Sequence, residues 1–203
     1  LGEQSKPMQK IELEIVALSH SITQSNSYAV ILGEVNGLRR LPIVIGGFEA
    51  QAIAVALENM HPSRPLTHDL MKNFMTAFDI QLQEVYICDL QEGIFYSKLV
   101  CFTANDTIEI DSRTSDALAL AVRFGCPIYV YSNILEQAGL ENENAEKNNP
   151  PATVVAEPVA NDLTNMSLVE LNKLLQEVLE QEDYIRAIDI RDEINKKTAQ
   201  KKS

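Results

Sequence analysis

Three short stretches of this 203-residue chain gather carboxylates, an imidazole and guanidinia where a strand or loop passes into a helix. The first is Arg64-Pro65-Leu66-Thr67-His68-Asp69-Leu70, the second Asp111-Ser112-Arg113-Thr114-Ser115-Asp116, the third Gly46-Gly47-Phe48-Glu49. Helix starts explain part of each. Thr67 and Thr114 read as N-caps, and Asp69, Asp116 and Glu49 suit the positive end of a helix dipole. Capping leaves His68, Arg64, Asp111 and Arg113 without a structural purpose. Carboxylates beside one imidazole and two guanidinia are the materials of a hard-cation site with phosphate clamps. The sequence contains no P-loop, GxSxG elbow, dinucleotide fingerprint or HExxH, which removes the chemistries those motifs carry.

The elements that must position these side chains form a repeat. Residues 10–18, 28–35 and 40–45 alternate as strands, with Asn36-Gly37 a hairpin turn, and a helix follows through Met60. The pattern returns as strands over 80–90, 94–103 and 107–110 and a helix over 115–124. The two helices align residue by residue, Glu49-Ala50-Gln51-Ala52-Ile53-Ala54-Val55 against Asp116-Ala117-Leu118-Ala119-Leu120-Ala121-Val122, which places Glu49 and Asp116 at matching positions. The expected fold is α+β, two β-β-β-α-like halves sharing one bent, mainly antiparallel sheet. A third helix over 67–78 lies between them, with Leu70, Phe74 and Phe78 at i, i+4 spacing and Met71 alongside as its core face. Arg123, on the same helix face as Asp116, is its expected structural partner.

Composition narrows the function. The net charge of −12 leaves no basic footprint for passive nucleic-acid binding, although carboxylate chemistry on a phosphodiester remains open. With 6% aromatic residues and no Trp, there is little from which to build a stacking platform for a single strand. Cys88, Cys101 and Cys126 have no metal-ligand spacing and read as buried free thiols, which points to a cytoplasmic setting. No apolar run approaches the ~20 residues of a membrane span, so no membrane partner is expected.

The segments Leu41-Pro42-Ile43-Val44-Ile45-Gly46, Glu49-Ala50, Arg64-Pro65-x-Thr67-His68-Asp69-Leu70, Ile110-Asp111-x-Arg113-x-Ser115-Asp116-Ala117-x-Ala119-Leu120-Ala121 and Pro127-Ile128-Tyr129-Val130 closely resemble the bifunctional nuclease (BFN) domain. Thr114 departs from the family's usual Pro. The resemblance implies an α+β fold over residues 8–140 and cleavage of both DNA and RNA. Chemistry then suggests a catalytic set of His68, Asp69, Asp111 and Asp116, with His68 as general base or leaving-group acid. A divalent cation, Mg²⁺ or Mn²⁺, is expected on Asp69, Asp111 and Asp116, with Glu49 alongside. Arg64 and Arg113 are the expected phosphate-binding residues.

Residues 141–166, rich in Asn, Glu and Pro, read as a flexible linker. Residues 167–198 read as a helical hairpin opened by the capping box Ser167-Leu168-Val169-Glu170, with Leu168, Leu171, Leu175 and Val178 on one helix, a turn at 182–184, and Ile185, Ile188 and Ile194 on the other. This tail resembles a UVR motif, which implies docking to a protein partner. Sheet edges and the hairpin's apolar stripe together predict a homo-oligomer. The alternative to a nuclease is a non-catalytic adaptor that binds a ligand or a protein.

Overall fold

The structure is a computed structural model that describes residues 9–20, 27–104, 106–141, 163, 165–180 and 184–200. Two strand–strand–strand–helix units follow one another. The first is β1 (Lys10–His20), β2 (Ser27–Glu34), β3 (Arg39–Gly46) and α1 (Gly47–Leu57). After α2 (Thr67–Ala77), the second is β4 (Gln81–Gln91), β5 (Ile94–Phe102), β6 (Thr107–Arg113) and α3 (Thr114–Phe124). Then come β7 (Ile128–Tyr131), α4 (Ser132–Ala138), β8 (Leu140–Glu141), α5 (Leu168–Glu180) and α6 (Tyr184–Gln200). The eight strands make one sheet in the order β6-β5-β4-β7-β1-β2-β3-β8, antiparallel throughout except where β7 runs parallel to β4. The α+β fold expected from the repeat is therefore present. The short strand β7, taken from the Pro127-Ile128-Tyr129-Val130 motif, joins the two three-stranded meanders.

Alternation sets the register. Tyr28, Val30 and Leu32 of β2 stand opposite Ile45, Ile43 and Leu41 of β3, and all six are buried on one face. A one-residue slip would turn this whole set out to solvent. Against that face lie α1 and α3, each eleven residues long and in contact with one another. Their Ala-rich sequences, with Ala50, Ala52 and Ala54 on one and Ala117, Ala119 and Ala121 on the other buried, allow close approach of two helices to a sheet. A helix buried nearly all round needs small apolar residues on every side.

The tail packs onto this domain. Ser167 and Glu170 form the expected capping box, the Ser167 N–H donating to Glu170 Oε2 at 2.7 Å and the Glu170 N–H to Ser167 Oγ at 3.3 Å. Leu171, Val178, Ala187 and Ile190 bury one another between α5 and α6. Ile188 enters the main core, and Arg191 pairs with the Glu58 carboxylate and donates to its carbonyl at the C-terminal end of α1. Residues 182 and 183 of the predicted turn and the Ile185 side chain lie outside the described residues, as does most of the predicted linker, and Tyr184 opens α6.

One expectation is reversed. Leu70, Phe74 and Phe78 do not form a core face; they are 62, 58 and 65% exposed, and Met75 is the buried residue of α2. The inward face is instead His68, Asp69, Lys72 and Met75, spaced at i, i+3 and i+4. Partners on α3 turn the helix this way. Asp69 meets Arg123, Lys72 donates to the Arg123 carbonyl at 2.5 Å, and His68 meets Asp116. Hydrogen-bonded charge has overridden apolar periodicity, and that rotation is what delivers the imidazole.

Candidate functional site

Three helix N-termini converge on the site. Glu49, Asp69 and Asp116 are each the third residue of their helix, α1, α2 and α3 respectively. Chain reversal at these junctions is local chemistry. A Cβ at Gly46 would lie 2.5 Å from Glu49 Oε2, so the glycine before α1 leaves room for that carboxylate to fold back over the helix start. Leu66, not Thr67, is the cap residue of α2, and its N–H donates to Asp69 Oδ2 at 2.9 Å. Arg113, not Thr114, occupies the cap position of α3. Thr114 is the first helical residue, the position where proline is favoured, which accounts for the family's usual residue. Here its buried hydroxyl donates to the Phe95 carbonyl at 3.0 Å and meets Ser97 Oγ at 2.7 Å, so the departure is compensated by hydrogen bonds.

A four-residue chain of contacts links the halves. His68 Nε2 lies 3.0 Å from Asp116 Oδ1. Arg113 donates from Nε to Asp116 Oδ2 at 2.8 Å, from Nη2 to Oδ1 at 3.2 Å, and from Nη1 to Glu49 Oε1 at 2.9 Å. Burial pushes the Asp116 carboxyl up, but hydrogen bonds from Arg113 and His68 outweigh it and hold the group below its ordinary value. The same bonds, from Asp116 first and then Glu49, keep Arg113 more firmly protonated. The Arg113 side chain is 68% exposed, and two of its five N–H groups remain for an incoming anion.

Asp69 belongs to a different pair. Its Oδ1 accepts from Arg123 Nε at 2.6 Å, while Arg123 Nη1 donates to the carbonyls of Ala52 and Ala119 at 2.9 and 3.0 Å. Arg123 thus ties α1, α2 and α3 together with a side chain only 5% exposed. Its partner is Asp69, not Asp116 as its helix face suggested. Burial raises the Asp69 carboxyl, and the bonds from Arg123 and the Leu66 N–H more than offset this, leaving it lowered.

The remaining expected residues lie apart. Asp111 sits exposed on the edge strand β6, opposite Lys98 in the ladder, and makes no contact with the other three carboxylates. Arg64 is exposed in the loop before α2, with no ion pair among the described residues. No three His, Cys, Asp or Glu side chains among the described residues come together as metal ligands. Glu49 and Asp116, the two carboxylates that share a neighbour, are bridged by a guanidinium. The residues present therefore do not fit the four-carboxylate cation site that the sequence suggested.

Two other regions attract attention. A groove of about 640 Å³ runs between β1, the end of α1 and residues 125–129, but its lining includes Glu12 and Glu14 and no basic residue, so it repels a polyanion. On the outer sheet face Lys10 caps the Tyr86 ring at 4.1 Å, and burial together with the Glu109 carboxylate pushes the Tyr86 phenol up. Cys88, Cys101 and Cys126 are free, and burial raises each thiol, Cys126 to about 11. No helix among the described residues is long and apolar enough to cross a membrane.

Fold and site define a duplicated α+β domain that collects ionisable side chains where three helix N-termini meet. Residues 30–143 match the bifunctional nuclease domain, and the chain belongs to that family. It is 49% identical over 115 residues to an uncharacterized protein of Mycobacterium tuberculosis, a match covering 57% of this chain and 68% of the relative. It is 21% identical over 173 residues to Bifunctional nuclease 2 of Arabidopsis thaliana, covering 80% of this chain and 53% of that protein. Bifunctional nuclease 1 of Oryza sativa subsp. indica is 27% identical over 104 residues, 50% of this chain and 31% of the relative. The UVR resemblance of the tail finds no support among these matches.

Proposed function

We propose that the domain hydrolyses phosphodiester bonds of DNA and RNA with little sequence specificity, using His68, Asp116, Arg113 and Glu49. The carrying observation is the His68–Asp116 contact of 3.0 Å with Arg113 bound to the same carboxylate. Asp116 accepting from Nε2–H leaves Nδ1 as a base. In this reading Nδ1 takes a proton from water as its oxygen attacks phosphorus, the bond to the leaving sugar oxygen breaks, and the imidazolium returns the proton to that oxygen. Arg113 binds the non-bridging oxygens with its two remaining N–H groups, and Glu49 fixes the guanidinium plane. Arg64, on the loop leading into α2, adds charge for the flanking phosphate. The plant relatives' names and the family membership support the substrate class.

The test is cleavage of single- and double-stranded oligonucleotides by purified protein, with and without EDTA and with added Mg²⁺ or Mn²⁺. The side-chain mechanism predicts activity that survives EDTA and is lost in His68→Ala and Asp116→Asn. Activity abolished by EDTA and restored by Mn²⁺ would return the expected divalent cation to the site and require Arg113 to release its carboxylates. Equal activity in wild type and both variants would mark a contaminant. The acidic surface and the groove with Glu12 and Glu14 in its lining favour the adaptor as the second reading, and a protein inert under every metal condition would count for it.

A further inference from the structure

The two edges of the sheet are finished differently. Beyond β3 lies β8, a strand of two residues, and so short an edge offers little to a passing chain. At the other end β6 runs for seven residues, pairs with β5 alone among the described residues, and is exposed from Thr107 to Asp111. Antiparallel ladders alternate between residues that bond across and residues that do not. At the head of the hairpin the Thr103 N–H donates to the Asp106 carbonyl at 2.9 Å, and in that phase Ile108 and Ile110 spend their backbone groups on β5. Glu109 and Asp111 therefore turn their backbone N–H and C=O groups outward. The side chains alternate too. Ile108 and Ile110 stand beside Cys101 and Leu99, core residues each 1% exposed, yet they are themselves 47 and 43% exposed. On the opposite face the Glu109 carboxylate accepts from Lys98 Nζ at 2.8 Å, and Asp111 has no ion pair among the described residues.

We propose that β6 takes an extended, basic segment of a partner protein as an additional strand, with apolar side chains of that segment against Ile108 and Ile110 and lysine or arginine beside Glu109 and Asp111. Charge selects this occupant over a second copy. Paired antiparallel about a two-fold axis, two copies of β6 set Glu109 against Asp111 in the register of full overlap, and a carboxylate against its own copy one step to either side. Like charges directly opposite one another in a ladder are destabilising. A basic strand turns the same positions into attraction, and the net charge of −12 draws it in from a distance. Main-chain bonds to Glu109 and Asp111 supply affinity and the two isoleucines fix the register, the division of labour usual in strand addition. Asp111, which lies apart from the His68–Asp116 contact, has a use here that requires no cleavage of a phosphodiester.

The test is amide hydrogen exchange, read by NMR on the ¹⁵N-labelled full chain, free and with a short peptide of alternating valine and lysine. In the free protein the amides of Ile108 and Ile110 should exchange slowly and those of Glu109 and Asp111 fast. At about ten times its Kd the peptide should slow Glu109 and Asp111 about 10-fold and leave exposed amides elsewhere unchanged. Ile108→Thr with Ile110→Thr, which keeps β-branched residues in the strand, should weaken the peptide about 2- to 30-fold, the loss of two cross-strand pairs. Fast exchange at Glu109 and Asp111 that persists in millimolar peptide overturns the proposal, as does equal binding of a peptide with glutamate in place of lysine. Slow exchange of both amides in the free protein overturns it too, a second copy holding the edge if dilution restores fast exchange and a segment of this chain if it does not.

Discussion

Replacing Asp69 with alanine distinguishes a structural carboxylate from a catalytic one. The sequence groups Asp69 with the catalytic residues, yet its carboxylate is spent on Arg123 at 2.6 Å and on the Leu66 N–H at 2.9 Å. Breaking a buried ion pair from one side costs roughly 3–5 kcal/mol because the remaining charge is stranded. The Asp69 side chain is 30% exposed, so water recovers part of this and about 2 kcal/mol is the working figure. Loss of the helix-start bond adds about 1 kcal/mol. A domain of this size loses about 2–4 °C of Tm per kcal/mol, so Asp69→Ala should melt about 6–12 °C below wild type. Adding Arg123→Met removes the stranded guanidinium and should recover about 1 kcal/mol or more of that loss. Calorimetry of the two single variants and the double variant, alongside cleavage measured well below each Tm, provides the readout. His68→Ala should show the opposite profile, with Tm within about 2 °C of wild type and activity gone. An Asp69→Ala protein with wild-type Tm and no activity would refute the reasoning and restore Asp69 to the chemistry.

Acid unfolding follows from the same pairs. Asp69 and Asp116 are held below their ordinary carboxyl values, so the stability they contribute is present above the unfolded-state value near 4 and is lost as pH falls through the lower folded-state values. Asp69→Asn should therefore flatten the fall of stability below about pH 4, and unchanged steepness in urea titrations would count against it. The α6 contact with α1 predicts one cooperative thermal transition for the whole chain, with Ile188→Ala lowering stability by about 2–4 kcal/mol. Two separate transitions would show that the tail is an independent unit. The exposed stripe of Leu70, Phe74 and Phe78 offers a few hundred Å² of uncharged apolar surface on an otherwise acidic protein, a face suited to a second copy. Light scattering should find an oligomer that Phe74→Glu with Phe78→Glu converts to monomer, and a monomeric wild type at high concentration would defeat this.

Much of the architecture was local and therefore legible. Strand alternation over β2 and β3, the Asn36-Gly37 turn, and the matched Ala-rich helices depend on neighbours two to four residues apart, and the internal repeat announced the shared sheet. The pairing of Glu49 with Asp116 was also readable, because duplication places equivalent residues at equivalent helix starts. The wiring within the site was not. Whether Arg123 serves Asp116 or Asp69 depends on how α2 crosses α3, and His68 reaches Asp116 across 48 positions of sequence. Periodicity assigned Leu70, Phe74 and Phe78 to the core, since an isolated helix shows only which residues share a side. Which side turns inward is decided by the free energy of partnering Asp69, Lys72 and His68 with groups on another helix, and no local pattern contains those partners.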